Sequence, residues 1–410
     1  MKILLLSAYH AQSHKAWADT LKDMLPEVAW FEATLPPHYF SWRIRGNALG
    51  FAFESKFKEI VSRQYDLVIA TSMTDVVGLK AFLPQFAMTP WLLYFHENQY
   101  DYPASHLQQG LVEMQMVTLY SALAAEACVF NSAYNRDSFL SGVMKLLNKL
   151  PDYTGENCPE ILRNKSTVIS VPLANDVVNQ AKALSLSKPN CHLKREHSGH
   201  SSTNCVPHII WAARWEYDKG PDRLLAALRA LKNANVEFKL SVLGQSFRDK
   251  PAEFDVIEKE FAQELCHFGF LPSRQDYLTV LSEGDVFLST ALHEFQGLSV
   301  LEAVALGCLP VLPNRQVYPE LFGGAYTYST DTDIEVEASH VVSHMRSVIG
   351  TFEECPVEEH SVEDLSVESL NEHQSRSTRE QQALSVDRFT KASLKPLYQE
   401  LIQSLFNLNS

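Results

Sequence analysis

Cysteine is sparse and poorly arranged for cross-linking. There are seven in 410 residues, an odd number with no Cys-x-x-Cys pair. That excludes the disulfide framework of a small secreted domain and fits a reducing cytosol. Cys191 and Cys205 flank a polar segment holding His192, His197 and His200, but the spacing matches no common zinc pattern, so no metal is expected. No apolar run reaches the ~18–20 residues of a membrane span, so no membrane partner is expected. The opening MKILLLSAYH has one lysine, a short apolar core and no small-residue cleavage site. It predicts a first buried strand over Lys2–Leu6 and not a signal peptide. Positive charge is short as well: 35 Lys and Arg against 49 Asp and Glu, a net of −14. The deficit is local, however. Residues 331–380 carry 13 acids against 3 arginines, a net of −10, whereas residues 1–150 carry 12 cations against 13 acids. The overall charge therefore reports an acidic segment and does not exclude nucleic acid from the rest of the surface.

What is present is length enough for two cores and a repeated β-α alternation. Short apolar runs suit buried strands at Asp66–Ala70, Trp91–Phe95, Ala127–Phe130, Thr167–Val171, His208–Ala213 and Phe238–Gly244. Helical patterns cover Lys15–Leu25, Gly78–Phe82, Leu107–Ala125, Pro221–Ala234, Val256–Leu265 and Arg274–Leu281. The reading is α/β: two doubly wound, Rossmann-like domains, with ligands at the carboxyl ends of the strands. The first domain spans 1–183 and a linker or long loop 184–207. The second spans 208–388, with an acidic, Ser-rich, poorly periodic and mobile insertion at 332–385. A closing helix over 389–406 is placed to pack back on the first domain.

The chemistry concentrates after strands. Asp285–Pro313 reads strand, loop, helix, strand, with Glu294 in the loop and Glu302 in the helix, eight positions apart. Between them Phe295, Gln296, Gly297 and Leu298 lead into a helix N-terminus, whose free N–H groups suit an anion. One carboxylate at the mouth suits sugar hydroxyls and one further in suits a ribose. Arg214 and Lys219, between a strand and a Pro-initiated helix, suit a diphosphate. Gly269 and Phe270 form a turn with two readings, a backbone seat for a nucleobase or a plain turn. In the first half, His10, Gln12, Ser13, His14 and Lys15 follow one strand, and His96, Glu97, Asn98 and Gln99 follow another. Trp42–Arg63 interleaves Arg43 and Arg45 with aromatic residues. It admits three readings: an amphipathic helix with inward aromatics, an RNA contact, or a membrane-surface helix.

With those residues in place, the E-x7-E unit resembles the signature of retaining GT-B glycosyltransferases of the family-4 type. The chain as a whole resembles the tRNA-queuosine alpha-mannosyltransferase family. The resemblance is carried by SHK at 13–15, WRIR at 42–45, YFHENQ at 94–99 with YP at 102–103, VFNSAYNRDSFL at 129–140, LPSRQDY at 271–277, HEFQGLSVLEAV at 293–304 and VYPELF at 317–322. The family usually places a glycine pair before SHK, where this chain has Ala11-Gln12. The resemblance implies GT-B domains facing across a cleft, and GDP-mannose as donor with no metal. It implies a tRNA carrying queuosine as acceptor, and retention by front-face departure and attack. His96, Glu294, Arg214 and Lys219 would be catalytic. Arg214, Lys219, Gly269, Phe270, Glu294, Phe295, Gln296, Gly297, Leu298 and Glu302 would bind the donor. His10, Gln12, Ser13, His14, Lys15, Arg43, Arg45, Glu97, Asn98 and Gln99 would meet the acceptor. The rival readings are a transferase acting on a cell-envelope glycan or lipid, and a non-catalytic RNA- or sugar-binding protein.

Overall fold

Buried parallel strands leave little room for choice in this chain, because each apolar run must be covered on both faces. The computed structural model describes residues 1–101, 111–187, 206–246, 250–353 and 384–407. The Tyr102-Pro103 pair, most of the linker with its Cys and His residues, and the acidic stretch 354–383 lie outside them.

The chain divides into two compact units. The first is Met1–Ala174 with Phe389–Ser410, and the second is Asn175–Arg388. Residues 175–183 thus group with the second unit, through the helix Asn175–Ser187.

The first unit is built on β1 (Lys2–Ser7), β2 (Ala29–Thr34), β3 (Leu67–Thr71), β4 (Trp91–Phe95), β5 (Ala127–Phe130) and β6 (Ser166–Val168), all parallel, in the order β2-β1-β3-β4-β5-β6. The order reverses direction between β1 and β3, which makes the loops at their carboxyl ends the expected binding edge. One face of the sheet carries Leu4, Leu6, Val68, Ala70, Leu93 and Phe95 into the main core. On the other, Trp17 of α1 (Gln12–Met24) stacks on Tyr94 at 4.3 Å between ring centroids, and its indole N–H donates to Tyr398 at 3.2 Å. Tyr398 lies on the helix Lys391–Asn407, so the end of the chain completes this face.

The second unit has β7 (His208–Ala212), β8 (Lys239–Leu243), β9 (Leu265–Gly269), β10 (Val286–Leu288), β11 (Leu309–Pro313) and β12 (Thr327–Tyr328), in the order β12-β11-β10-β7-β8-β9. Here the reversal falls between β7 and β10, the two strands followed by Arg214–Lys219 and by Glu294.

Three strands escape the sequence reading: β2, β9 and β12. All are sheet edges, and the first two are only half buried, so their side chains alternate weakly. The helix expected over Val256–Leu265 is instead Glu253–Glu260, and Leu265 opens β9. The acidic segment also needs correction. Ile334–Glu353 is a 20-residue helix that buries Ala338, Val341, Val342, Met345 and Val348. That spacing is helical, but the acids around it mask the apolar stripe. Trp42–Arg63 divides between its readings. α2 (Phe40–Phe53) buries Ile44, Ala48 and Phe51, yet leaves Trp42 and Phe53 exposed.

One backbone position fixes the approach of the two loops in the second unit. Gly220 has φ 63° and caps the helix Pro221–Asn233, and a Cβ there would lie 2.2 Å from the Thr290 carbonyl oxygen. Gly220→Ala is expected to lower unfolding stability by about 2 kcal/mol or more, from left-handed strain plus that clash. A thermal melt checks it, and an unchanged midpoint would mean the loop carries no such constraint.

Candidate active site

In the second unit the site grows from the loops after β7 and β10. Lys219 ends a short turn and is 8% exposed. Its ammonium donates to the His293 carbonyl at 2.8 Å and to Glu294 Oε2 at 3.2 Å, and it pairs with Asp218 at 3.2 Å. Thr290 locks the loops together, its hydroxyl donating to the Lys219 and Gly220 carbonyls and accepting from the Trp211 indole. The Asp218 carbonyl in turn accepts from the backbone N–H groups of Leu292 and His293.

Glu294 is held as firmly. Its Oε1 accepts from the N–H groups of Phe295 and Gln296 at 3.1 and 3.3 Å, and its own N–H donates to Gln316 at 2.7 Å. Burial alone would raise its carboxyl, but the Lys219 ammonium and the N–H groups of Gly297 and Gln296 bring it down to about 2. Glu294 is therefore ionised throughout the neutral range and accepts hydrogen bonds only. Burial would lower the Lys219 ammonium, but Glu294 and Asp218 hold it above its ordinary value. Arg214 differs from Lys219 in access. It is half exposed and rests against Glu216 at 2.7 Å, with Asp218 at 3.9 Å.

Gly297, at φ 70°, is the N-cap of the helix Leu298–Ala305, whose first turn has no side-chain cap. Phe295 and Gln296 are buried behind it, and the Phe295 ring meets His293 edge-on at 4.5 Å. Glu302 sits one helical face further on, gripped by Arg274 at 2.6 and 3.2 Å, while Arg274 Nε reaches Asp176 at 3.0 Å. A ribose at Glu302 would share that carboxylate with the guanidinium. At the end of β9, Gly269 faces open space and Phe270 is 55% exposed. Asp218, Arg274, Thr290 and Gln316 contact the candidate residues and carry no mark in the sequence. Only the left-handed φ of 55° at Gln316 marks one of them as special, and that is a property of the fold.

In the first unit the loops after β1, β3 and β4 assemble a second cluster. His14 is buried in α1, bonded through Nδ1 to the Tyr9 carbonyl at 2.6 Å, and stacked on His96 at 4.1 Å. Trp17 and Tyr94 complete the cage around His96. Burial holds the His96 imidazole well below its ordinary value and lowers His14 to about 4, so both are neutral at pH 7. His10 lies 3.7 Å from Glu32. Gln12, Ser13 and Lys15 are exposed on the first turn of α1, with Lys15 paired to Asp19 at 2.9 Å.

The cluster after β4 is mixed. Asn98 is buried and spent on structure: its amide donates to Asn135 and Ser138, and its oxygen accepts from the N–H groups of Tyr100 and Asp101. It braces the loop and has no group left for an acceptor. Gln99 is buried with its carbonyl oxygen unpartnered among the described residues, and the half-buried Glu97 accepts from Ser72 through its backbone carbonyl. Ser7, Thr71 and Thr74 also have buried hydroxyls unpartnered among the described residues, with Ser7 and Thr71 each following the register pair Leu6–Ala70 at the strand reversal. Hydroxyl residues at strand ends carry no spacing signal, so sequence reasoning passes over them. Arg43 and Arg45 lie on α2, with Arg45 4.0 Å from Glu113.

His14 makes the pH dependence testable. In the unfolded chain it takes a proton near 6.5, but in the fold only near 4, so stability falls as pH drops between those values. About 3 kcal/mol is expected to be lost across that window. Urea unfolding at pH 7 and pH 4 measures it, and His14→Phe should reduce the slope by that share while the part due to His96 persists. A midpoint independent of pH between those values would contradict a buried neutral imidazole.

Among the described residues no group of three His, Cys, Asp or Glu side chains stands ready to hold a metal ion, and no helix is long and apolar enough to cross a membrane.

Comparison with known proteins gives concordant matches. Residues 2–173 match the family model "tRNA-queuosine alpha-mannosyltransferase N-terminal", and residues 196–339 match "Glycosyl transferases group 1". The tRNA-queuosine alpha-mannosyltransferase of Drosophila melanogaster is 33% identical over 330 residues, 80% of this chain and 83% of that one. The GDP-mannose:cellobiosyl-diphosphopolyprenol alpha-mannosyltransferase of Xanthomonas campestris is 23% identical over 105 residues, 25% of this chain and 28% of that one. Among solved structures, Anabaena HepE in complex with UDP and glucose superposes with a TM-score of 0.61 at 14% identity, covering 98% of this chain and 100% of that one. The UDP-forming trehalose-phosphate synthase of Burkholderia vietnamiensis also gives 0.61, at 13% identity over 99% and 100% of the two chains. At such identities these neighbours speak for the fold, which is that of GT-B glycosyltransferases.

Proposed function

The chain belongs to the tRNA-queuosine alpha-mannosyltransferase family, and from that premise we propose that it moves mannose from GDP-mannose to queuosine in the anticodon loop of a tRNA, with retention at the anomeric carbon. The observation that carries this reading is the 33% identity to the Drosophila enzyme over 80% of the chain. It is supported by the charged groups gathered at the strand reversal of the second unit.

In this reading Arg214 meets the diphosphate first, since its guanidinium is half exposed, and Lys219 adds charge from behind. The helix N-terminus at Gly297 and Leu298, whose Gly297 N–H also serves Glu294, completes the anion site. Glu294, kept ionised by Lys219, accepts from the hydroxyls of the mannose, and Glu302 from the ribose. Gly269 and Phe270 receive the guanine. His96, neutral at pH 7, serves the transferred sugar as a hydrogen-bonding group and not as a cation. His10, Gln12, Ser13, His14, Lys15, Glu97, Gln99, Arg43 and Arg45 serve the acceptor, with Asn98 holding the loop that presents them.

The bond from the anomeric carbon to the phosphate oxygen breaks as the bond to the queuosine hydroxyl oxygen forms. The hydroxyl proton passes to the departing phosphate oxygen. Two cationic side chains neutralise the charge that develops there, so turnover is expected to proceed without a metal. Cytoplasmic tRNA is the substrate pool assigned.

The test is incubation with radiolabelled GDP-mannose, excess chelator and tRNA from cells that make queuosine or cannot. Label should enter only the queuosine-containing pool. Label in neither pool but in a lipid or glycan fraction would overturn the acceptor, and loss of turnover on chelation would overturn the metal-free assignment.

A further inference from the structure

At the carboxyl edge of the first sheet, the chain leaving β2 turns into α2 through Tyr39, a non-glycine residue held in the left-handed region at φ 56° and ψ 53°. Its side chain is 79% exposed, and Trp42, one turn on, is 57% exposed. Strained backbone and bare aromatic rings both cost stability, and persist where a site uses them. Trp42 is also positioned. Its indole lies along the helix over Gly46, where an added Cβ would come within 2.6 Å of the ring. One face of the indole is thus backed by the helix while the side chain stays open to solvent.

The same turn is tied to the acceptor loops. Phe40 meets Tyr9 edge-on at 5.6 Å, the N–H of His10 donates to the Leu35 carbonyl, and Asn47 donates to the Met73 carbonyl in the loop after β3. Two arginines share the helix with Trp42, Arg43 four positions after Tyr39 and Arg45 three after Trp42. Arg43 has a buried Nε without a partner among the described residues, and Arg45 lies 4.0 Å from Glu113.

From this arrangement we infer that Tyr39 and Trp42 form a stacking platform for unpaired RNA bases, with Arg43 and Arg45 taking the adjoining phosphates. The inference rests on the RNA-acceptor reading and deepens it. Flat rings with cations beside them suit bases on a phosphate chain, which present π-faces and negative charge at the same spacing. α2 buries Ile44, Ala48 and Phe51 within its own unit and exposes Trp42, Leu49 and Phe53 along another face, which Gly46 interrupts, so a membrane surface is the rival that the vesicle arm of the experiment must exclude.

The experiment compares wild type, Trp42→Ala, Trp42→Phe and Gly46→Ala, all as the full chain. Each is assayed on a queuosine-containing anticodon stem-loop and on free queuosine nucleoside, with GDP binding as control. Trp42→Ala should raise the KM for the stem-loop roughly five- to hundredfold. Its kcat, GDP affinity and activity on the nucleoside should stay unchanged. Trp42→Phe should recover most of the loss, and Gly46→Ala, which pushes the indole away, should mimic Trp42→Ala. An unchanged KM for the stem-loop in Trp42→Ala would overturn the platform, as would equal loss on stem-loop and nucleoside. Binding of wild type to anionic phosphatidylserine vesicles in preference to the stem-loop would overturn it too. Direct stem-loop binding of the same variants is measured alongside. If wild type transfers nothing, the activity reading fails, while a Trp42-dependent RNA affinity still upholds the platform and its absence removes it.

Discussion

Lys219→Met is expected to reduce transfer by about 10²–10³-fold and to cost the second unit about 3–5 kcal/mol of stability. Both effects follow from where the ammonium sits. Its Nζ lies 3.2 Å from Glu294 and 3.2 Å from Asp218, and Asp218 is 1% exposed. Methionine fills the space but leaves Glu294 with only its backbone N–H donors and the buried Asp218 with only Arg214 at 3.9 Å, and a buried carboxylate short of its cation is the more expensive state. The Glu294 carboxyl would then rise from about 2, since burial would be opposed only by the N–H groups of Gly297 and Gln296. The variant should therefore lose activity more steeply as pH falls toward 6 than wild type does. Urea unfolding and kcat/KM against pH measure the two losses. A variant as stable as wild type would contradict the buried ion pair, and one as active would remove Lys219 from the chemistry.

Arg214→Ala is expected to lose a comparable factor in transfer, about 10²-fold or more, with stability changed by less than about 1 kcal/mol. The guanidinium is half exposed, and its contact with Glu216 is a partly solvated pair of small net worth. Its removal leaves no deeply buried charge behind, so the loss should appear in kcat and in GDP affinity while the melting temperature holds. The two variants together separate a cation that serves chemistry alone from one that also holds the loops together. Equal destabilisation by both would mean that Arg214 is a structural residue, and its place at the diphosphate would fall.

Residues whose role is set by their own type and neighbours in sequence were legible in advance. The buried strands β3, β4, β5, β7 and β11 stand out as apolar runs, and the two functional loops of the second unit follow strands as a doubly wound sheet requires. Glu294 and Lys219 were recognisable as charged residues in those loops. Their direct contact was not, because it depends on Gly220 packing against Thr290, two segments about seventy residues apart. The hold of Arg274 on Glu302 is hidden for the same reason. Asn98 misled, since a polar residue in a polar motif looks available until Asn135 and Ser138 are seen to engage it. The edge strand β2 was missed because AWFEAT is half exposed and alternates weakly, and with it went Tyr39 and the start of α2.

The most direct measurement is mass spectrometry of nucleosides from queuosine-containing tRNA after incubation with the purified protein and GDP-mannose. The account predicts that queuosine gains one hexose with wild type, gains it in chelator as well, and gains almost none with Arg214→Ala. Queuosine left unmodified by wild type while GDP-mannose is consumed or another nucleoside gains the hexose would contradict it.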